Sequence, residues 1–159
     1  MEMLIVCTAI ACAAMGGVFF AFSSFVMQGL KALPSAHGII AMQSINVTAV
    51  TPIFMTALFG TAAACLALLV SAAIEWRDTV SGYLIAGSLS YLVGAIGVTV
   101  AFNVPLNNTL AAADPSSGDA VRLWMKYVRS WIAWNHVRTV SGLIAAALLM
   151  WTVVKAGAV

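Results

Sequence analysis

Charge is what this sequence has least of. Only 8% of its 159 residues are Asp, Glu, Lys or Arg, while 63% are hydrophobic. A soluble domain carries about 25% charged residues. So few polar side chains cannot clothe a soluble globule in water. Seven Lys and Arg against five Asp and Glu leave a net charge of +2, with no basic run or stripe. Nucleic acid is therefore not an expected partner. Cysteine is scarce as well. Cys7, Cys12 and Cys65 all lie inside apolar runs, and there is no CxxC. An odd count in such places reads as small buried hydrophobes, not as a disulfide framework or a metal site. No nucleophile stands beside a base, and no GxGxxG or Walker pattern occurs, so hydrolysis and nucleotide chemistry have no support.

What the sequence does have is long stretches without charge. A membrane helix takes about 20 predominantly apolar residues. The first stretch runs from Met3 to Leu30 and the second from Ala32 to Ile74. The chain opens Met1-Glu2-Met3 without Lys or Arg, and its first run is longer than a signal core. It is read as a retained first helix. The second stretch is too long for one span, and Pro34 and Pro52 divide it. Ser35 to about Val50 forms a helical segment near the interface, with Ser35 as its N-cap, and the span proper begins near Pro52. Glu75-Trp76-Arg77-Asp78 is a charged, aromatic turn suited to a membrane surface. A third helix runs from about Thr79 to Phe102. Asn103, Pro105, Asn107 and Asn108 then break the pattern, and Asp114 to Gly118 forms a turn-rich loop before Asp119 caps the next helix.

The last segment is the informative one. Its charge-free run, Thr139 to Val154, has 16 residues, about 24 Å of helix against a hydrocarbon core of about 30 Å. Either that helix is short, or it starts near Asp119 with Asn135 and Arg138 at the membrane boundary. The second reading is preferred because 120–138 is also patterned as a helix. On a helical wheel, Trp124, Tyr127, Trp131, Trp134, Asn135 and Arg138 share a stripe about 100° wide, and Arg122, Lys126, Arg129 and His136 fall on the other side. The fold expected is an all-α integral membrane four-helix bundle, with an amphipathic helical extension preceding the fourth span. Its spans are 3–30, 52–74, 79–102 and 133–154 of a single transmembrane domain over 1–159.

Three polar clusters converge on one end of such a bundle. Arg138 beside Asn135 is the first, because charge at membrane depth is costly and faces a bundle interior or a wet cavity. The competing reading is an interfacial arginine that snorkels. Gln43 and Asn46, three residues apart, form the second. They act either as a site or as hydrogen-bonding glue between helices. Asn103 and Asn107 belong to the third, with turn chemistry as the plain alternative. His37 and His136 fall at the same end, but a metal site wants three or four ligands. No cofactor is expected. Haem or a metal held through His37 or His136 stays open as an alternative, since one axial histidine suffices for haem.

Four stretches carry a resemblance to a known family: Gly17 to Met27 (GVFFAFSSFVM), Ala41 to Asn46 (AMQSIN), Asn103 to Asn107 (NVPLN) and Trp131 to Arg138 (WIAWNHVR). In this order and spacing the chain resembles the anthrone oxygenase-like family of small membrane proteins, also catalogued as a domain of unknown function. The resemblance implies a four-helix membrane fold and, more loosely, an oxidoreductase of the monooxygenase kind that uses O2 on a flat aromatic or phenolic substrate. For that reading Trp131, Trp134 and Phe22 would line a slot for the rings, with Gln43, Asn46 and Asn103 as further substrate-binding residues. Arg138, Asn135 and Asn107 would stabilise an oxyanion, and His37 or His136 would accept a proton. The alternatives are a non-catalytic protein that binds a quinone, lipid or other apolar ligand, and a structural partner in the membrane. Other expected partners are the lipid bilayer and, through Gly16, Gly17, Gly94 and Gly97, either tight packing within the chain or a homo-oligomer. The alanine-rich composition suggests a bacterial inner membrane. The positive-inside rule puts the polar end in the cytoplasm.

Overall fold

The computed structural model of the protein describes residues 1–76 and 78–157, with 78 and 79 by backbone alone. Arg77, in the expected surface turn, lies outside the described residues. Among the described residues there is no strand. Four helices are long and apolar enough to cross a membrane: α1 (Glu2–Lys31), α3 (Pro52–Ile74), α4 (Val80–Ala111) and α5 (Ala120–Ala156). A shorter helix, α2 (Ser35–Thr48), joins α1 to α3. The protein is an all-helical integral membrane protein.

The spanning helices form a ring in which α5 touches α1 and α4, and α3 closes the other side against the same two. Backbone groups are satisfied within each helix, which a bilayer demands. Buried hydroxyls follow the same rule. Thr8, Thr61, Thr139 and Thr152 each donate to the carbonyl four residues earlier, at 2.6 to 3.0 Å. Large apolar side chains such as Ile10, Phe20, Phe59 and Val93 face outward, as lipid contact favours.

The helices differ in length: 30, 23, 32 and 37 residues for α1, α3, α4 and α5. At about 1.5 Å per residue they reach about 45, 35, 48 and 56 Å, while the hydrocarbon core is about 30 Å. Only α3 is close to a bare span. The surplus of the other three gathers at one end, where α2 packs among them. Two hydrophobic cores result. One lies within the span and includes Cys12, Met15, Phe19, Leu68, Tyr91 and Leu149. The other fills the cap beyond it, with Met27, Ile39, Met42, Leu110, Trp124 and Trp131.

Several local expectations are corrected. The pattern does not break at Asn103, because α4 runs on to Ala111. Pro105 has no N–H and clashes with the carbonyl four residues back. Here it falls in the first turn of a new α-helical stretch, Val104–Ala111, directly after a π-helical turn at Thr99–Asn103. The wider turn absorbs the proline without ending the helix. Ser35 is the first residue of α2 and not its cap; Pro34 holds the cap position, with no side-chain capping bond. Asp119 precedes α5 but does not cap it, because its carboxylate pairs with Arg122 at 2.8 Å. Thr51 does cap α3, its hydroxyl accepting from the Phe54 N–H at 3.3 Å. In the loop, Asp114 accepts from both the N–H and the hydroxyl of Ser116, which holds its carboxyl below the usual range. Of the two readings of the last helix, the structure has the long one: α5 starts at Ala120.

Glycine sets the closest helix approaches. A Cβ on Gly142 would stand 3.1 Å from the Gly16 Cα and 3.2 Å from the Cys12 carbonyl, and one on Gly94 would collide with the Ser141 side chain. Gly16 and Gly94 are thus used inside the chain, whereas a Cβ on Gly17 meets nothing within 4 Å. Gly94→Ala and Gly142→Ala are expected to lower stability by about 1–3 kcal/mol each through overpacking, with Gly17→Ala near neutral. Thermal unfolding in detergent followed by circular dichroism measures this, and equal transitions for all three would contradict the packing described.

Candidate functional site

Between the two cores lies a layer of polar side chains. It is built on α5, where Asn135 and Arg138, three residues apart, share a face and are both buried. The Asn135 amide nitrogen donates to the Phe19 carbonyl at 2.6 Å and to the Ser23 hydroxyl at 2.7 Å. Its carbonyl oxygen accepts from Arg138 Nη1 at 3.2 Å. The Arg138 guanidinium lies over the Phe19 ring, 3.8 Å from its centre. No carboxylate among the described residues pairs with this cation, whose Nε is buried without a partner. A cation so placed keeps only a weak share of the solvation it leaves behind. The site therefore holds unspent positive charge.

Local backbone geometry brings the other helices to this layer. α1 widens into a π-helical turn at Phe22–Val26, and α4 does so at Leu92–Gly97 and Thr99–Asn103. Such turns are rare and frequent at functional sites. The turn in α1 carries Ser23 to Asn135. The second in α4 carries Asn103, which is buried and donates to the Trp131 carbonyl at 3.4 Å. Its own Oδ1 is buried and unpartnered.

One turn further into the cap, Asn107 organises a second group. Its Oδ1 accepts from the Tyr127 hydroxyl and from Trp131 Nε1, both at 2.9 Å. Phe22 packs beside Trp131, ring centres 5.9 Å apart. Gln43 of α2 donates to the Leu110 and Ala113 carbonyls at 2.8 and 3.1 Å, closing the end of α4. Asn46 approaches the Tyr127 hydroxyl, while its amide nitrogen, like Trp124 Nε1, is buried without a partner.

The residues singled out in sequence thus gather at one end, with exceptions. Trp134 turns from Trp131 and stacks on Phe102 of α4, ring centres 3.6 Å apart and planes 7° from parallel, at the edge of the bundle. His37 and His136 are both exposed and stand outside the layer. Among the described residues no three of His, Cys, Asp and Glu assemble as a metal set. Arg122, Lys126 and Arg129 are exposed on the opposite face of α5, as the wheel places them. Sequence reasoning missed Ser23, the Phe19 ring and Tyr91, a buried phenol whose hydroxyl donates to the Leu58 carbonyl at 3.2 Å. None has a motif. Ser23 is one of two adjacent serines in an aromatic run, and which of them faces inward depends on the π-helical turn.

Two clefts lie away from this layer. One is a groove along the outer face of α3 at Ala63, Ala67 and Val70. The other, of about 420 Å³, is at the opposite end, between Glu2, Glu75, Leu84 and Thr152. Neither is lined by Asn103, Asn107, Trp131, Asn135 or Arg138. Asn107→Leu strands the Tyr127 and Trp131 donors and is expected to cost about 1–3 kcal/mol. Thermal unfolding with a shift in tryptophan emission reads this, and a variant with unchanged midpoint and emission would refute the bonding described.

The family model described as anthrone oxygenase matches residues 52–148. That stretch starts at the first residue of α3 and contains Asn103, Asn107, Trp131, Asn135 and Arg138, leaving α1 and α2 outside it. No curated protein and no solved structure matches the chain. The match covers more than half of the 159 residues, and the chain belongs to the anthrone oxygenase family.

Proposed function

We propose that the protein oxidises a flat phenolic or aromatic substrate with O2, at the polar layer around Arg138. The observation that carries this reading is a buried guanidinium without a carboxylate partner among the described residues, its Nε unspent. The family supports the reaction class. An activated ring methylene opposite a ketone loses a proton to give an extended enolate, which can pass electrons to O2. In sum, the methylene and one O2 become a second ketone and one water. Both C–H bonds break, one oxygen atom stays on the carbon and the other leaves as the water. The difficult step is the first, where charge builds on the ketone oxygen. A fixed cation in a dry site stabilises such an oxyanion best. Arg138 is assigned that role, with Asn135 holding its guanidinium and Asn107 and Asn103 offering amides nearby. Trp131 and Phe22 are assigned to the ring slot, with Gln43 and Asn46 supporting its cap side. Trp134, stacked on Phe102, stands at the slot's outer edge. The exposed histidines are not assigned the proton, which passes to water.

A second reading rests on a different observation. Asn135, Asn107 and Gln43 spend their hydrogen bonds on neighbouring helices, as side chains that lock a bundle would. In that case the protein binds a quinone, lipid or other apolar ligand without turnover, or serves as a structural partner. Under either reading residues 1–159 act as one transmembrane domain. A bacterial inner membrane is proposed, with the cap on the cytoplasmic side because Lys31, Arg122, Lys126 and Arg129 lie there.

Oxygen uptake by the detergent-purified protein with an anthrone as probe separates the two. Arg138→Ala is expected to remove the substrate-dependent uptake, with a loss of about 10²- to 10³-fold, as for other oxyanion donors. Full uptake in that variant would sink the oxygenase reading. Loss of a general base typically costs about 10²- to 10⁴-fold, so His37→Ala and His136→Ala, which should leave uptake nearly unchanged, test the assignment of the proton to water.

A further inference from the structure

Cys12 of α1 and Cys65 of α3 are wholly buried in the spanning core, and their sulfurs lie 3.8 Å apart. Two small hydrophobes in contact would explain the burial. They would not explain what surrounds the pair. Tyr91 is buried in the same core cluster, its hydroxyl donating to the Leu58 carbonyl of α3. Met15, also buried, lies one turn beyond Cys12 on the inner face of α1. Soft sulfur donors from two helices therefore meet in one buried cluster.

The spacing suits a shared metal ion. Two metal–sulfur bonds of about 2.3 Å, meeting at a tetrahedral or trigonal angle, hold their sulfurs about 3.8 to 4.0 Å apart. The pair needs no reshaping to reach that geometry. The donor set also selects the ion. Structural zinc takes four ligands, and among the described residues no group of three or more His, Cys, Asp and Glu assembles. Thiolate and thioether sulfur favour Cu(I), which is content with two or three soft donors.

We propose that Cys12 and Cys65 form a buried cuprous site, with Met15 as a third sulfur from the same turn of α1. Binding releases two protons: one Cu⁺ and two thiols give a bis-thiolate copper complex and two H⁺. The complex carries one negative charge, about two turns of α1 from Phe19, on whose ring the Arg138 guanidinium lies. No oxidation or reduction of the protein is involved. The site rests on the thiol geometry alone and is independent of the substrate reading.

The test is an anaerobic titration of the detergent-purified full chain with Cu(I), in competition with a bathocuproine chelator. The expected result is about one copper held per chain, lost in Cys12→Ser and in Cys65→Ser and retained in Cys7→Ser, whose thiol is exposed. Should the serine variants fail to fold by circular dichroism, copper K-edge absorption on the unmodified protein decides. A first shell of two or three sulfurs at about 2.3 Å sustains the site. Failure of the unmodified chain to hold copper, a shell of nitrogen and oxygen only, copper kept by a folded Cys12→Ser or Cys65→Ser variant, or copper lost with Cys7→Ser would each overturn it.

Discussion

The structure depends on one amide. Asn135 touches α1 twice, at the Phe19 carbonyl and the Ser23 hydroxyl, and with its other end holds Arg138. In a bilayer an unsatisfied amide or guanidinium has no water to turn to. The position of α1 against α5 and the direction of the arginine are therefore fixed together. Neither can move without stranding polar groups in hydrocarbon. The glycine contact at Gly16 and Gly142, about two turns away, lets the two backbones approach closely enough for those bonds to close.

The π-helical turns belong to the same constraint. An α-helix presents a given face every three or four residues, and a polar layer set across several helices needs the right residue at one height on each. A π turn shifts the register by a residue. In α1 it sets Ser23 opposite Asn135, and in α4 it sets Asn103 opposite Trp131 while admitting Pro105. Local helix regularity is exchanged for convergence.

Much of this was legible in the sequence, for identifiable reasons. Charge-free runs of the right length mark the spans, and the wheel from Trp124 to Arg138 sorts the buried face of α5 from its cationic face. Both follow from helical period and the cost of burying charge. The extension of α4 past Asn103 was not legible, because Asn and Pro signal a turn locally and the compensating π geometry has no signature of its own. The cysteine pairing was hidden for a related reason. Cys12 and Cys65 are 53 residues apart, and their meeting depends on which faces of α1 and α3 turn inward, which nearly uniform apolar helices do not reveal. Trp134 sat at the rim of the predicted stripe, and a neighbour on α4 decided its side.

The uneven helix lengths carry a consequence for how the protein sits in lipid. Three helices overrun the hydrocarbon and can slide relative to it, exchanging cap for span. α3 cannot. It has 23 residues, with the capping Thr51 before it and Glu75 after it. A thicker bilayer must thin around this helix, at a cost of a fraction of a kcal/mol per ångström of mismatch. Because α3 packs on α1, which Asn135 ties to Arg138, membrane thickness and the height of that arginine are mechanically linked. Its shortest span sets the bilayer thickness that suits the bundle.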